Sequence, residues 1–278
     1  MTDRRLAVLG TGLVDAQQPI LRADDLGVLR GDGVFETLLV RDGAPWLLDE
    51  HLARLARSAE RMTLPTPADR EWRELIDLVL ESWPAEEAAA LRLVCTRGAE
   101  GGGPPTAYAT VAAVPAETVR QRTEGVRVLT LSLGLTASAR AAAPWLLGGV
   151  KTTSYAVAMA ALREARAHGS DDAIWLSADG DVLEAPTSTV VWALDSTLCT
   201  VPADTGILTG TTTEHLFARA SSAGWTVARR QARIADLHAA DAVWLLSSVR
   251  GVAAVTSIDG HPRGDGGLTP AIHKMLGL

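Results

Sequence analysis

Lys151 is the residue of this chain whose type and setting most suggest covalent chemistry. It stands in Gly148-Gly149-Val150-Lys151-Thr152-Thr153-Ser154-Tyr155 and is one of two lysines, Lys274 being the other, in a sequence whose remaining basic residues are arginines. The pattern that follows predicts that Lys151 opens a helix running to about His168, stopped by Gly169. An ammonium at a helix N-terminus is opposed by the macrodipole, and the apolar run 143–147 just before it predicts partial burial, which also disfavours the charged form. A lysine amine kept neutral attacks carbonyls, the property a Schiff-base lysine requires. Taken alone, the residue also reads as an ordinary surface lysine beside a loop.

Other residues offer weaker signals of the same kind. Glu184 lies near the start of a long strand, 182–194, after an Asp179-Gly180 turn; Pro186 interrupts that strand and marks an edge or a bulge. Gly206-Ile207-Leu208-Thr209-Gly210-Thr211-Thr212-Thr213-Glu214 is a glycine-punctuated loop entering a helix, so its backbone N–H groups can receive a phosphate; without a lysine after Gly210 it is no nucleoside-triphosphate loop. Arg54 falls in a stripe with Arg57 and Arg61, the pattern of a solvated helix face. Glu50-His51 and Glu214-His215 never extend to His-Glu-x-x-His, and the six histidines show no ligand spacing, so no metal site is expected. A Gly-x-Ser-x-Gly elbow is absent, and Gly10-Thr11-Gly12 lacks the third glycine of a dinucleotide fingerprint.

The elements that must position these groups fall into two sets. At 278 residues the length suggests about two domains. Asp42-Gly43 between apolar runs predicts a hairpin, followed by amphipathic helices from Asp49 to about Arg61 and from the Thr66-Pro67-Ala68-Asp69 cap, with Pro67 at the first helical position, to Pro84, then strands at 91–96 and 107–114. Residues 116–125 are polar and read as a linker between an α+β first domain, 1–115, and a larger α/β domain, 126–278, that carries the lysine. Strands are expected near 126–133, 173–177, 197–201, 225–231, 242–246 and 252–258. The net charge, 26 minus 33 or −7, and the absence of a basic run argue against nucleic acid or an anionic membrane as partner. No apolar stretch reaches the ~18 residues of a membrane span, and the first twelve residues carry no signal-type apolar core. Cys95 and Cys199, without Cys-x-x-Cys spacing, read as buried thiols of a cytoplasmic protein.

Five stretches taken in order resemble one family along nearly the whole chain. They are Gly31-Asp32-Gly33-Val34-Phe35-Glu36-Thr37, Glu50-His51-Leu52-Ala53-Arg54-Leu55, Lys151-Thr152-Thr153-Ser154-Tyr155, Asp179-Gly180-Asp181-Val182-Leu183-Glu184 and Gly206-Ile207-Leu208-Thr209-Gly210-Thr211-Thr212. Together they resemble the class IV, fold type IV pyridoxal-phosphate enzymes. The resemblance implies the two-domain architecture of D-amino-acid-aminotransferase-like proteins, a homodimer and pyridoxal 5'-phosphate as cofactor. It implies that Lys151 links to the cofactor and shuttles protons, that Glu184 keeps the ring nitrogen protonated, and that Tyr155, one helical turn on, bonds the ring oxygen. Arg54, Thr211, Thr212 and Ser248 would hold the phosphate. Two positions depart from the family pattern: Ala185-Pro186-Thr187-Ser188-Thr189 follows the acid, and Thr213 replaces an arginine.

Within the family, Arg30-Gly-Asp-Gly-Val-Phe-Glu-Thr-Leu and Ser247-Ser-Val-Arg-Gly resemble the 4-amino-4-deoxychorismate lyases, while the loop after Arg97 lacks the Arg-x-His pair of the D-amino-acid aminotransferases. As that resemblance implies, the small-molecule substrate's C4 amine replaces Lys151 on the cofactor, the freed lysine removes the C4 proton, and the enolpyruvyl C–O bond breaks with aromatisation. The products are 4-aminobenzoate, a folate precursor, and pyruvate. Arg97 and Arg250, with Arg30 in reserve, are candidates for the substrate's two carboxylates because arginine offers a bidentate fork, and Thr37 is a candidate to face the reacting atoms. Each of the four also reads as a structural ion pair or a plain strand residue. The alternatives are an aminotransferase using D-amino or branched-chain amino acids with a 2-oxo acid, and a non-catalytic cofactor-binding member.

Overall fold

The computed structural model describes residues 4–81 and 83–278. The chain divides into two compact units, one of Met1–Pro115 with Val150–Tyr155, the other of Ala116–Gly149 with Ala156–Leu278.

The first unit contains β1 (Arg4–Val8), β2 (Gly12–Val14), α1 (Leu26–Arg30), β3 (Gly33–Arg41), β4 (Ala44–Pro45), α2 (Leu48–Arg61), α3 (Asp69–Leu80), β5 (Ala89–Thr96) and β6 (Thr106–Ala113). Its strands form an antiparallel sheet in the order β2-β1-β6-β5-β3-β4. Asp42 and Gly43 both adopt positive φ, 50° and 72°, the backbone of a primed two-residue turn whose twist matches the flanking strands. Alternation sends Leu91, Leu93 and Cys95 of β5 and Ala107, Ala109 and Val111 of β6 to one face. There they pack with Leu52, Leu55 and Ala59 of α2 and Trp72, Leu75, Ile76 and Val79 of α3. In β3 the same phase runs Val34, Glu36, Leu38, Val40, so one carboxylate takes a core position.

The segment 150–155 behaves differently from the expectation. Lys151 does not open a helix; the helix begins five residues later, and Lys151 lies in extended chain bonded to the β3 edge. Phe35 N donates to Lys151 O (3.1 Å), Thr153 N donates to Gly33 O (2.8 Å), and Val34 bridges Thr152. The hydroxyls of Thr152, Thr153 and Ser154 all donate to Gly31 O, at 3.4, 2.9 and 2.9 Å. Two β-branched residues and three hydroxyls with a local acceptor favour extended chain over helix here.

The second unit contains α4 (Ala116–Glu124), β7 (Val126–Ser132), α5 (Ala139–Ala142), α6 (Ala156–Ala167), β8 (Asp172–Leu176), β9 (Thr189–Leu194), β10 (Thr197–Thr200), α7 (Thr211–Ala220), β11 (Thr226–Arg229), α8 (Ile234–Ala239), β12 (Ala242–Ser247), β13 (Gly251–Ile258), β14 (His261–Pro262) and α9 (Thr269–Leu276). Its mixed sheet runs β11-β10-β9-β12-β13-β7-β8, with β14 on β13; β10/β11, β13/β7 and β7/β8 are parallel. Trp192 and Trp244, both fully buried, sit in the paired central strands β9 and β12. Residues 116–124, expected as linker, form α4. The stretch looks like linker because α4 buries none of its residues, yet Arg120 pairs with Glu117 and Glu124 at helical spacing. The expected strand 182–194 is also broken. Val182 bridges Leu176, Ala185 and Ser188 pair across a tight turn at Pro186-Thr187, and the regular strand starts at Thr189.

Leu38 is fully buried on the core face of β3. Leu38→Ala is expected to lower unfolding stability by about 2–5 kcal/mol, measured by urea denaturation, through lost burial and the cavity left behind.

Candidate functional site

In the first unit the chemistry-bearing residues collect around β3. The Lys151 ε-amino group lies 3.4 Å from the Tyr155 hydroxyl, to which it donates, and 4.3 Å from the centre of the Phe35 ring. Phe35 and Tyr155 meet edge to face, with centroids 5.0 Å apart. Lys151 N donates to Ser58 Oγ of α2 at 3.2 Å. The half-buried lysine is thus held at its backbone by β3 and α2, with its amine beside the Phe35–Tyr155 aromatic pair. Tyr155 reaches it from extended chain rather than across a helical turn, since α6 begins only at Ala156.

On the opposite face of β3, the Glu36 carboxylate is fully buried. Arg54 Nε donates to Oε1 at 2.7 Å and Arg54 Nη2 to Oε2 at 2.9 Å, while His51 Nδ1 donates to Oε2 at 2.6 Å. Burial alone would raise the Glu36 carboxyl, but Arg54 and then His51 outweigh it and hold the group at about 2. For His51 burial is the leading influence and lowers its pKa; Glu36 offsets part of this, and the Arg54 and Lys151 cations act with burial. Arg54 therefore belongs to a buried cluster, whereas Arg57 and Arg61 of the expected stripe are exposed. A signal for this cluster was present in the sequence. Glu36 is in phase with Val34, Leu38 and Val40, and His51 and Arg54 are in helical phase with Leu55 and Ser58.

In the second unit Glu184 is largely buried. Arg140 Nη1 donates to its Oε1 and Leu208 N to its Oε2, each at 2.9 Å. A carboxylate has about four lone-pair sites, so these two bonds leave capacity for another N–H donor. α7 starts at Thr211 behind Gly210, which has no side chain to cap it. Thr211, Thr212 and Thr213 are buried, and among the described residues Thr212 Oγ1 and Thr213 Oγ1 have no hydrogen-bond partner. Buried hydroxyls without partners at a helix N-terminus fit a phosphate, which would accept from both the hydroxyls and the backbone N–H groups. Ser248 is half-buried in the turn between β12 and β13, a turn that Arg122 of α4 holds by donating to Val249 O and Arg250 O.

The arginines proposed for substrate carboxylates are engaged elsewhere. Arg97 forks onto Asp32 at 2.6 and 3.1 Å and donates to Met62 O and Thr63 O. Arg250, almost wholly buried, bonds Asp172 at 2.8 Å, Gln121 at 3.1 Å and Ser188. Both occupy the structural ion-pair alternative. Arg30 is exposed at the end of α1, with its guanidinium 4.0 Å from Glu100. Thr37 is half-buried on the Phe35 side of β3. Arg140 has no counterpart among the expected site residues, because nothing in its Ala-rich surroundings marks it. Among the described residues, no group of three or more His, Cys, Asp or Glu could hold a metal, and no helix is long and apolar enough to cross a membrane.

The family model for class IV amino-transferases matches residues 33–258, from the start of β3 to the end of β13. The chain belongs to the class IV aminotransferase family. Enzymes of this family use pyridoxal phosphate. A Mycobacterium tuberculosis relative named bifunctional aminodeoxychorismate lyase / D-amino acid transaminase is 47% identical over 251 residues, covering 87% of each chain. The structure of a hypothetical aminotransferase from Mycobacterium tuberculosis in PLP-bound form superposes with a TM-score of 0.95 at 42% identity, covering 98% of this chain and 97% of that one. A fold IV transaminase from Curtobacterium pusillum gives a TM-score of 0.92 at 36% identity over 98% and 97% of the two chains. The fold is that of the fold type IV enzymes.

Glu36 ionises far below the ordinary carboxyl value of 4.5 in the folded state, so its contribution to stability is complete above about pH 4.5 and is lost as pH falls toward about 2. Chemical denaturation of Glu36→Gln is expected to show a less stable protein at neutral pH, with a flatter loss of stability below pH 4.5 than the wild type. Arg97→Ala is expected to cost about 1–3 kcal/mol of stability by stranding Asp32 and two carbonyls, with substrate KM unchanged in steady-state assays.

Proposed function

We propose that this protein is a pyridoxal-phosphate-dependent 4-amino-4-deoxychorismate lyase releasing 4-aminobenzoate and pyruvate. The observation that carries the reading is the 47% identity, over 87% of the chain, to a relative named in part for that lyase activity. It is supported by the loop 98–105, which holds no Arg-x-His pair for an amino-acid carboxylate. Pyridoxal phosphate supplies an aldehyde that captures the substrate amine and a ring that takes up the electron pair left when the adjacent C–H bond breaks.

The chain's own residues have separate tasks. The first turn of α7, with the Thr211 and Thr212 hydroxyls, binds the phosphate, together with Ser248 and Arg54; Glu36 and His51 keep the Arg54 guanidinium in one orientation. Glu184 would hold the proton on the ring nitrogen, and Tyr155 would bond the ring oxygen. Lys151, whose ε-amino group lies 3.4 Å from the Tyr155 hydroxyl, would take the substrate's C4 proton as general base and then give a proton to the departing enolpyruvate as general acid. Its backbone bonds to Phe35 and Ser58 would keep that amine in place for both proton transfers. Arg30 and Thr37 are the remaining candidates to contact substrate. The active form is a cytoplasmic homodimer.

The relative's second name favours one further reading, a D-amino-acid transaminase acting with a 2-oxo acid acceptor. Incubating the purified protein with pyridoxal phosphate and aminodeoxychorismate, without any 2-oxo acid, is expected to release pyruvate and 4-aminobenzoate in equal amounts. Lys151→Ala is expected to reduce that rate by roughly 10²-fold or more. No release, alongside amino transfer from D-alanine to 2-oxoglutarate, would replace the lyase with the transaminase.

A further inference from the structure

Arg140, on the four-residue helix α5, lies where three segments of the second unit converge. Its Nη1 donates to Glu184 Oε1 at 2.9 Å, and the other oxygen of that carboxylate accepts from Leu208 N, in the loop that leads to α7. The backbone around Arg140 is shaped to admit it. A Cβ built on Gly148 would stand 2.9 Å from Arg140 Cβ, and one on Gly206 would stand 2.5 Å from the same atom. Neither distance is tolerated between carbon atoms, so both positions must lack a side chain for α5 to seat. Gly148 and Gly149 precede the Lys151 segment, Gly206 opens the loop before α7, and Gly149 N donates to Gly206 O at 3.0 Å. The side chains of Arg140 and Glu184 are 19% and 16% exposed, so their ion pair is shielded from water and holds its geometry better than a surface pair.

We infer that Arg140 is a positioning residue that locks Glu184 to the 206–210 loop, fixing the distance between the groups for the cofactor's ring nitrogen and those for its phosphate. The inference rests on the cofactor reading above. Without Arg140, Glu184 keeps only the Leu208 N–H, its side chain regains rotamer freedom, and the 206–210 loop loses the partner that Gly206 was shaped to meet. Both ends of cofactor recognition then loosen together, although Arg140 itself contacts neither.

The test compares wild type, Arg140→Met and Arg140→Lys for pyridoxal-phosphate affinity, for the pH titration of the bound cofactor's absorbance, and for the melting temperature of the cofactor-free protein. Arg140→Met is expected to bind the cofactor on the order of tenfold more weakly, with a shifted absorbance titration, and to melt within a few degrees of wild type. Arg140→Lys, which keeps one charged donor, is expected to recover part of both. Gly148→Ala, which displaces α5 without removing the guanidinium, should weaken affinity in the same direction. Equal affinity and an unshifted titration in Arg140→Met would overturn the inference, and so would a large fall in melting temperature with the titration unchanged, since that is the behaviour of a residue serving the fold alone. A wild type that binds no pyridoxal phosphate would instead overturn the cofactor reading, so the two failures are told apart.

Discussion

A carboxylate placed on the core face of a sheet has to be paired or neutralised, and in this protein that constraint organises the first unit. Glu36 takes the position that alternation along β3 would give to an apolar side chain. An unpaired charge there would cost several kcal/mol, so α2 must present partners where a helix in this setting would otherwise present only leucines. His51 and Arg54, three residues apart on α2, meet that demand with three hydrogen bonds of 2.6–2.9 Å. The pairing sets the rotation of α2 about its axis. That rotation also brings Ser58 of α2 to the backbone of Lys151, so the buried ion cluster and the lysine are set by the same helix.

The other edge of the constraint is β3 itself. One side of the strand pairs with β5 from Gly33 to Val40, while the opposite side pairs with β4 at its end and with residues 151–153 at its start. The lysine segment completes a sheet edge rather than beginning a helix. Backbone hydrogen bonds to a sheet immobilise a residue more firmly than a fraying first helical turn. The Phe35 ring, pointing out of the same strand, then has its centre 4.3 Å from the Lys151 ε-amino group.

In the second unit a shielded ion pair serves a comparable purpose. Arg140 and Glu184 are 44 residues apart in sequence and meet because α5 nests against two glycines. The carboxylate is held at one oxygen by a guanidinium and at the other by a backbone N–H, and α7 follows directly with the Thr212 and Thr213 hydroxyls, which have no hydrogen-bond partner among the described residues. Polar groups that a fold buries without satisfying are costly, and they persist where a ligand completes them. The two free threonine hydroxyls are therefore a stronger sign of an anion site than the glycine punctuation of the loop that precedes them.

Much of this was legible along the chain. The Asp42-Gly43 hairpin, the amphipathic helices α2 and α3 and most strands follow from local periodicity and turn chemistry, and five short stretches in order pointed to the family that the comparisons identify. Local pattern misread α4 as linker, because a helix that buries none of its residues has no apolar stripe to reveal it. It also placed Lys151 at a helix start, because sequence spacing cannot tell that an exposed strand edge is waiting to pair with that segment. Arg97 and Arg250 looked like open carboxylate receptors until their carboxylate partners, Asp32 and Asp172, were seen 65 and 78 residues away. The sequence by itself determined which residues are able to do the chemistry and which elements carry them, since those depend on side-chain type and on periods of two and 3.6 residues. Only the tertiary structure decided which charges are spent on each other and which groups are left for a ligand, since that depends on contacts between residues far apart in the chain.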